Sequence, residues 1–499
     1  MADPSPGEAP SRDRYDAVVV GSGPNGLAAA IALAREGLAV CLLEGAPSIG
    51  GGMRSLELTL PGFVHDLCSA VHPLGIGSPF FRSLPLAAHG LEWVHPPLPL
   101  AHPIDGEPAA RLERGVEATA AALGADAESY RRFVGPFAAA WDDLAADLLG
   151  PPSLPSHPVL ALRFFRRALR SAAAEGRRFS GQRGRALIAG NAAHSGLALD
   201  RRPTGGVALV LMLLAHAVGW PFPRGGSQRL AQALAACFVE LGGEIVAGFP
   251  VRSLRDVPAA RAVLLDVTPR QLLGIAGGGL PGGYRRRLDR FRYGPAVFKI
   301  DWALTEPIPW RDPSCSEAGT VHLGGTLAEI AAGESDVEHG RVPRRPFVLL
   351  SQPSRFDSTR APAGRHVAWG YCHVPRGSTA EMTDRIEAQV ERFAPGFRDT
   401  VLARGVITPG DFERRNPNHV EGSIDGGLQN LRQTLARPVA RLDPYATPLR
   451  GVYLCSSSTP PGSGVHGMCG FHAAQCALRR SFGARREGGA GEPPLAARP

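Results

Sequence analysis

Lysine is almost absent from this 499-residue chain, because 53 of its 54 basic residues are arginine and Lys299 is the only exception. The formal net charge is +8. Such an excess is typical of nucleic-acid-binding proteins, but no RNA- or DNA-binding motif accompanies it. Alanine, glycine and proline are also abundant, so we attribute the arginine content partly to overall composition. The sequence therefore predicts no nucleic-acid partner.

Closely spaced cysteine pairs and long apolar runs are missing as well. None of the eight cysteines forms a C-x-x-C pair, which argues against a zinc site and against the redox-active disulfide of a disulfide reductase. Met1 to Arg14 contain no apolar stretch typical of a signal peptide. The longest apolar run, Val207 to Val218, is too short to span a bilayer and predicts a buried helix. We therefore expect a reducing, cytoplasmic location.

Several histidines raise the question of a metal site. Five of them lie between residues 56 and 110, at His65, His72, His89, His95 and His102. Their spacing matches neither a helical pair nor a common zinc pattern. We predict no metal site, and we interpret these histidines as surface or cavity residues.

Residues 15–44 carry the pattern of a βαβ nucleotide-binding unit. A short strand, Tyr15 to Val20, leads into glycines with G-x-G-x-x-G spacing, and a helix and a second strand ending in Glu44 follow. In this pattern the glycines allow a tight turn, approach of the backbone to a pyrophosphate and close packing of helix on strand. The helix N-terminus favours phosphate. The residues predicted to bind the cofactor here are Gly21, Ser22, Gly23, Pro24, Asn25, Gly26 and Glu44.

Glu44 indicates which dinucleotide fits. It lies 23 residues after Gly21, where an acidic side chain accepts hydrogen bonds from the ribose hydroxyls. A carboxylate at this position repels a 2′-phosphate, so NADP is disfavoured. A glycine-rich turn that only joins packed elements would not need this glutamate.

Two further segments resemble a known family. Gly50 to Ser55 reads GGGMRS, and Pro460 to Gly470 reads PPGSGVHGMCG. With the βαβ unit, they resemble the FAD-dependent phytoene desaturase and amine oxidase superfamily, most closely its phytoene dehydrogenase-like group. The resemblance implies FAD as cofactor, with contacts from Gly51, Gly52, Arg54, Val251, Gly462, Gly464, Val465 and His466. It also implies that the N-terminus of the helix predicted directly after Gly470, at 471–479, meets the flavin ring.

The resemblance also implies the architecture, an α/β fold in which a split Rossmann-like FAD-binding domain carries an inserted α+β substrate domain. We predict the FAD-binding domain at 14–80, 219–295 and 440–482, the substrate domain at 81–218 and 296–439, and disordered tails at 1–13 and 483–499. The β-meander usual after the residue equivalent to Val251 is shortened here. Gly274 to Gly283 follows a helix-like stretch, so we reject a second dinucleotide site.

Hydride transfer from an apolar substrate to flavin N5 is the function that the resemblance favours. The alternatives are an amine oxidase, which an aromatic pair facing the flavin would favour, and a non-redox lipid- or prenyl-binding module. The substrate could be a carotenoid, another lipid or a smaller molecule, and the electron acceptor could be oxygen or a quinone. Some amine oxidases place a lysine near flavin N5, and Lys299 resembles it loosely. The alternative is an ordinary strand-edge lysine.

The stretch 159–185 combines eight arginines with leucine and phenylalanine. A basic amphipathic helix of this kind can lie on an anionic membrane, and phytoene desaturases take a lipid-borne substrate. The sequence thus suggests peripheral membrane contact, with a solvated helix face as the alternative.

Overall fold

The computed structural model describes residues 9–483. The predicted disordered tails therefore fall mostly outside the described residues. Inside them, the backbone N–H of Ser11 donates a hydrogen bond to Glu244 Oε1 over 2.7 Å, so this part of the N-terminal segment contacts the body of the protein.

Strands and helices alternate through the described part of the chain. Its sixteen strands are β1 Arg14–Val20, β2 Val40–Leu43, β3 Ser55–Glu57, β4 Val64–Asp66, β5 Trp93–Val94, β6 Leu98–Ile104, β7 Glu107–Leu112, β8 Phe222–Pro223, β9 Glu244–Val246, β10 Ala259–Leu265, β11 Ala296–Leu304, β12 Ala318–Leu323, β13 Val348–Ser351, β14 His366–Val374, β15 Val401–Ile407 and β16 Val452–Leu454. Its nineteen α-helices, within the same residues, are α1 Pro24–Ala34, α2 Pro73–Ile76, α3 Pro79–Arg82, α4 Val116–Leu123, α5 Ala127–Ala138, α6 Trp141–Leu148, α7 Pro158–Ala168, α8 Ala172–Gly176, α9 Gln182–Ala193, α10 Thr204–Ala217, α11 Gln228–Glu240, α12 Pro269–Ala276, α13 Gly282–Asp289, α14 Ser314–Glu317, α15 Leu327–Glu338, α16 Thr383–Phe393, α17 Pro409–Arg415, α18 Leu431–Leu435 and α19 Met468–Ser481.

A parallel five-stranded sheet has the order β16-β10-β1-β2-β9. Alternate side chains of β1 enter two different cores, with Ala17 and Val19 on one face and Val18 and Val20 on the other. This burial on both faces explains the continuous apolar run of β1 in the sequence. Helices α11 and α19 both pack against α1, beside the sheet. The predicted α/β class with a Rossmann-like unit is confirmed.

The first helix of this unit, α1, contains the apolar run Leu27 to Leu33 that predicts it and begins three residues earlier, at Pro24. Pro24 occupies the first helical position, where its missing N–H costs nothing. The chain leaves the helix after Ala34 and turns at Gly37, whose φ of 75° is a left-handed conformation that suits glycine. The predicted strand–helix–strand order of residues 15–44 is therefore confirmed.

A mixed seven-stranded sheet has the order β15-β11-β14-β13-β12-β6-β7, with β12 and β6 parallel. Strand β11, predicted at 296–304, is an interior strand of this sheet. Its residues alternate between two faces. Ile300 and Trp302 face a core that includes Ile386 of α16, whereas Lys299 and Asp301 face the other side.

The helical part differs from the sequence prediction in one region. The buried apolar helix is present as α10. Residues 115–150, whose alanine-rich amphipathic pattern predicts helix, form α4, α5 and α6. The basic stretch 159–185 is not one helix, because it is divided among α7, α8 and the start of α9. No helix in the described residues is long and apolar enough to cross a membrane.

The connection that replaces the β-meander is short. Between β9 and β10 the chain forms a single 3-10 turn at Leu254–Asp256. Strand β10 begins at Ala259, three residues before Ala262, where the apolar run in the sequence predicts its start. Gly274 lies in helix α12, in keeping with the rejection of a second dinucleotide loop there.

Candidate active site

The glycine turn after β1 is closed by contacts that exclude any side chain. A Cβ atom on Gly26 would lie 1.9 Å from the carbonyl oxygen of Gly21, and one on Gly23 would lie 2.7 Å from Asp266 Oδ2. Gly21 itself has a φ of 99°. The three glycines are therefore required by the backbone path, as the sequence predicts.

The Glu44 carboxylate is held at the end of β2 by the glycine turn. Its Oε2 accepts hydrogen bonds from the backbone N–H of Ser22 (2.9 Å) and from the Ser22 hydroxyl (2.5 Å). Its Oε1 accepts from the N–H of Ala46 over 2.8 Å. Each carboxylate oxygen has further lone pairs, so this geometry leaves capacity to accept a ribose hydroxyl.

Val251 lies at the same end of the sheet. The N–H of Phe249 donates to the Glu44 carbonyl over 2.8 Å, and a Cβ on Gly45 would be 3.4 Å from Pro250. The segment that precedes Val251 thus runs directly along the Glu44 segment. Val251, which the family resemblance places at the adenine, and Glu44, the predicted ribose contact, therefore lie in neighbouring segments.

The second glycine segment folds back onto the first turn. A Cβ on Gly51 would be 3.0 Å from the Cα of Gly23. Arg54 is 9% exposed, and it donates from Nε to the Gly51 carbonyl (2.9 Å) and from Nη2 to the Arg415 carbonyl (3.0 Å). Burial lowers the pKa of Arg54 from its ordinary value. Two of its five N–H groups are used in this way, which leaves donors for an anion.

The C-terminal signature reaches the same turn from more than 400 residues away. A Cβ on Gly470 would be only 1.8 Å from the carbonyl oxygen of Asn25, so α19 starts in backbone contact with the start of α1. The loop before α19 packs nearby, because the Val465 carbonyl lies 3.2 Å from the Cβ position of Gly75 and Gly464 lies against Leu74. Gly462, the first glycine of this loop, lies against the guanidinium of Arg437.

His466 is buried in this loop with one unpaired nitrogen. Its Nδ1 accepts a hydrogen bond from the N–H of Met468 over 3.0 Å, which assigns the ring proton to Nε2. That Nε2 has no hydrogen-bond partner within residues 9–483, and neither has Oδ1 of buried Asn25. Burial lowers the pKa of His466 to about 4. A neutral donor and an amide acceptor are thus available to a polar ligand at this turn.

Lys299 is buried in an ion pair. Its Nζ donates to Asp301 Oδ1 over 2.5 Å, and it lies 5.6 Å from the centre of the Trp369 ring. Burial raises the pKa of Cys68 to about 12, and the nearby Lys299 ammonium opposes this rise. Cys68 in turn contacts the Gly52 position. Strand β11 is paired on both sides, so Lys299 is no strand-edge residue. Tyr371, the partner of Lys299 on β14, packs in one apolar cluster with Cys68, so this face of the sheet lies toward the second glycine segment. Its catalytic role stays a prediction.

Two aromatic rings accompany Lys299 on the same face of the sheet. Trp369 and Tyr371 of β14 are stacked with ring centres 6.2 Å apart and an interplanar angle of 1°. The next residue on this face, His373, pairs with Glu334 over 3.0 Å, and this pairing outweighs burial and raises the pKa of His373. Strand alternation could have placed these three side chains together, but only their ring geometry reveals the parallel pair.

Two buried carboxyl groups lie near the predicted cofactor residues and make contacts that the sequence did not predict. Asp425 Oδ1 accepts a hydrogen bond from Ser463 of the C-terminal loop over 3.3 Å, and burial raises the pKa of Asp425 to about 6. Asp266 Oδ2 accepts from the N–H of Gly26 over 3.0 Å, and burial raises the pKa of Asp266 to about 7. Both contacts join residues far apart in the chain, so no local spacing predicts them.

Comparison with known proteins supports this reading of the fold. The family described as NAD(P)-binding Rossmann-like domain matches residues 19–83. The chain is 26% identical to the rat pyridine nucleotide-disulfide oxidoreductase domain-containing protein 2, over 94% of both chains. It is 28% identical to the hydroxyneurosporene desaturase of Cereibacter sphaeroides, over 92% of this chain and 97% of that protein.

Among solved structures, wild-type putrescine oxidase superposes with a TM-score of 0.60 at 15% identity, covering 94% of this chain and 99% of that one. At this identity the likeness shows the fold alone. Together with the sequence relatives, it confirms the predicted resemblance to the phytoene desaturase and amine oxidase superfamily. The prediction of a phytoene dehydrogenase-like oxidoreductase is likewise confirmed. The dinucleotide-binding Rossmann-like domain is shown at residues 19–83.

Proposed function

We propose that the dinucleotide is FAD and that it spans the glycine turn. Glu44 and Val251 would hold the adenosine half, the turn and Arg54 the diphosphate, and the loop at 462–466 the flavin half. The observation that carries this proposal is the backbone contact between Gly470 and Asn25, which joins the C-terminal loop to the glycine turn. The unpaired Asn25 Oδ1 and His466 Nε2 fit a ligand rich in polar groups.

The proposed domain division follows from this assignment. All five strands of the parallel sheet lie within the segments 14–80, 219–295 and 440–482, and all seven strands of the mixed sheet lie within 81–218 and 296–439. We assign the first sheet to cofactor binding and the second to the substrate domain. Lys299 and Trp369 then stand on the face of the substrate sheet that lies toward Cys68 and Gly52.

The reaction we propose is dehydrogenation of an apolar substrate. Bound FAD supplies the acceptor for a hydride from a C–H bond. The chain's own residues exclude water and fix charge. His466 stays neutral at pH 7 and offers its Nε2–H, and the N-terminus of α19 favours negative charge near the loop. Lys299 is neutralised by Asp301, so the pair adds no net charge to the site.

An apolar substrate is supported by the desaturase relative, whose name states a hydroxyneurosporene substrate. We place the protein in the cytoplasm, and we propose that it meets such a substrate at a membrane surface, as the basic residues around α7 suggest. The acceptor that would reoxidise the flavin is oxygen or a quinone in this proposal.

Amine oxidation is the second candidate, and one observation favours it. The parallel Trp369 and Tyr371 rings lie beside Lys299, and aromatic faces attract a small amine cation. Putrescine oxidase, which shares the fold, acts on an amine by its name.

The test begins with an absorbance spectrum of the purified protein before and after anaerobic dithionite. Flavin bands that bleach and return in air, with FAD released on denaturation, support the proposal. A colourless protein that does not take up added FAD would overturn it and favour a non-redox lipid- or prenyl-binding module. Anaerobic mixing with polyenes or amines, followed at the flavin band, then separates the two substrate classes. Trp369→Leu should slow only the amine reaction if the aromatic pair binds amines.

A further inference from the structure

Helix α7 presents three different faces. Successive residues of an α-helix are rotated by about 100°, so Ala161, Phe164 and Ala168 share one side, and all three are buried. A second side carries apolar residues that point to solvent. Val159 is 72% exposed and Leu162 is 63% exposed. Apolar side chains exposed to this degree on one helix face indicate a contact surface.

The row of exposed apolar residues extends beyond these two. Phe165 is 40% exposed, Leu169 is 41% exposed, and Leu154, just before the helix, is 94% exposed. The spacing of three and four residues places the side chains from 159 to 169 on neighbouring turns of one side. We call Leu154, Val159, Leu162, Phe165 and Leu169 the apolar row.

The third face of α7 opens into a cavity surrounded by arginine. The cavity has a volume of about 400 Å³, and its lining consists of Pro136, Phe137, Arg163, Arg166, Arg167, Arg170 and Arg178. We call it the arginine cavity. Arg170 and Arg178 share the buried Glu175 carboxylate: Arg178 Nε donates to Glu175 Oε2 over 2.5 Å, and Arg170 Nε lies 2.6 Å from Glu175 Oε1 in an ion pair.

The other three arginines lack such compensation. Within residues 9–483, no carboxylate oxygen lies within 4.0 Å of Arg163, Arg166 or Arg167. Arg167 lies over the Phe133 ring at 5.6 Å. Burial, and next the charge of Arg178, lower the pKa of Arg167. Five guanidinium groups around one cavity with one carboxylate leave a strong local excess of positive charge, which an anion would relieve.

We propose that the arginine cavity binds the phosphate headgroups of anionic phospholipids while the apolar row enters the adjoining acyl region. The arginines and the apolar row are neighbours on α7, so both can meet a bilayer surface at once. Guanidinium forks match phosphate oxygens in pairs. This site is separate from the glycine turn, so the proposal stands whether or not the chain oxidises a lipid.

Vesicle flotation of the full chain tests the proposal. We expect co-flotation with vesicles of phosphatidylcholine and phosphatidylglycerol, and none with phosphatidylcholine alone. Arg163→Gln with Arg166→Gln should reduce the partition coefficient about 30-fold, since each arginine near an anionic surface contributes about 1 kcal/mol. The matched control is Arg286→Gln with Arg287→Gln on α13, two exposed arginines of another helix, which should change it less than about 3-fold.

A second pair of variants tests the apolar row. Leu162→Gln with Phe165→Gln should weaken flotation although every arginine is kept. Leu435→Gln with Leu402→Gln is the control, because these residues are 62% and 44% exposed and lie elsewhere. Thermal melting checks that each variant is folded.

Inorganic phosphate separates a lipid site from a free-phosphate site. A rise in melting temperature with phosphate that Arg163→Gln with Arg166→Gln removes, without any vesicle binding, would overturn the membrane assignment. Equal binding to neutral and anionic vesicles, or the same flotation in the arginine variant and its control, would overturn the role of the cavity.

Discussion

The Asp266 carboxyl group, directly after the end of strand β10, caps the N-terminus of helix α1. Its Oδ2 accepts a 3.0 Å hydrogen bond from the N–H of Gly26, 240 residues earlier in the chain. Pro24 has no N–H, so Gly26 carries one of the few free donors at the start of α1. A buried carboxyl group therefore stands where the helix dipole favours negative charge, next to the predicted phosphate position.

Asp266→Asn should change how stability depends on pH. The folded protein holds the Asp266 proton up to a pKa of about 7, whereas the unfolded chain releases it near 3.8. Between these values the folded state binds more protons, so its free energy of unfolding falls as pH rises. Asparagine still accepts from Gly26 but does not ionise. Between pH 5 and pH 8, the free energy of unfolding of the variant should rise relative to that of wild type by on the order of 2 kcal/mol.

Urea unfolding at several pH values measures this difference. Asp289→Asn, an exposed aspartate at the end of α13, serves as the control and should track wild type. Parallel pH profiles for wild type and Asp266→Asn would show that Asp266 ionises normally.

Gly26→Ala should disrupt the turn. The new Cβ would lie 1.9 Å from the Gly21 carbonyl oxygen, which is backbone and cannot move without opening the turn. We expect a loss of about 3 kcal/mol or more in the free energy of unfolding, and loss of the proposed FAD binding. Gly274→Ala is the control, since a Cβ there meets open space within helix α12. Gly274→Ala should raise the free energy of unfolding by about 0.5–1 kcal/mol. Thermal melting and the flavin-to-protein absorbance ratio report both effects, and equal behaviour of the two variants would contradict the steric argument.

Glu44→Ala should weaken FAD binding in the proposed site. The variant loses a charged acceptor that also organises Ser22 and Ala46, and a hydrogen bond to a charged group contributes about 1.5–3 kcal/mol. FAD affinity, measured by fluorescence titration of the apoprotein, should fall about 10- to 100-fold. Glu57→Ala, an exposed glutamate of β3, should leave it unchanged. Unaltered affinity in Glu44→Ala would remove Glu44 from the site.

Lys299→Met separates a catalytic lysine from a structural one. Removing one partner of the buried Lys299–Asp301 pair leaves Asp301 with His65 Nδ1, 3.4 Å away, in place of the ammonium group, and should cost about 3–5 kcal/mol. In the double variant Lys299→Met with Asp301→Asn, most of this stability should return. If Lys299 acts on the flavin or the substrate, turnover should stay low in the double variant. Recovery of turnover together with stability would assign Lys299 a structural role.

Local pattern was sufficient for most of the secondary structure. The order of β1, α1 and β2 follows from apolar periodicity, a proline at the first helical position and glycines at the turns, all within about thirty residues. The sequence predicts a strand at 296–304 and a helix at 383–393, and strand β11 and helix α16 have these bounds. The helices of the basic stretch 159–185 were harder to predict, because arginine occurs throughout the stretch and does not mark where α7, α8 and α9 begin or end.

Some residues of the candidate site could be predicted from local sequence pattern and others could not. Gly21, Gly26 and Glu44 lie within one βαβ unit, so their spacing in the sequence is sufficient to predict the close glycine turn and the position of Glu44 beside it. Asp301 could also have been found, since residues two apart on a strand share a face with Lys299. Asp425 could not, because its contact with Ser463 joins two irregular segments that carry no periodic pattern.

The sequence alone determined the α/β class, the dinucleotide turn and the resemblance to flavin-dependent oxidoreductases, because each depends on residue types at short, regular separations. Only the tertiary structure decided that Asp266 meets Gly26, that the Trp369 and Tyr371 rings are parallel and that five arginines surround one cavity. Such relationships depend on which strands and helices become neighbours. That choice is made by packing across the whole core, over separations of up to hundreds of residues.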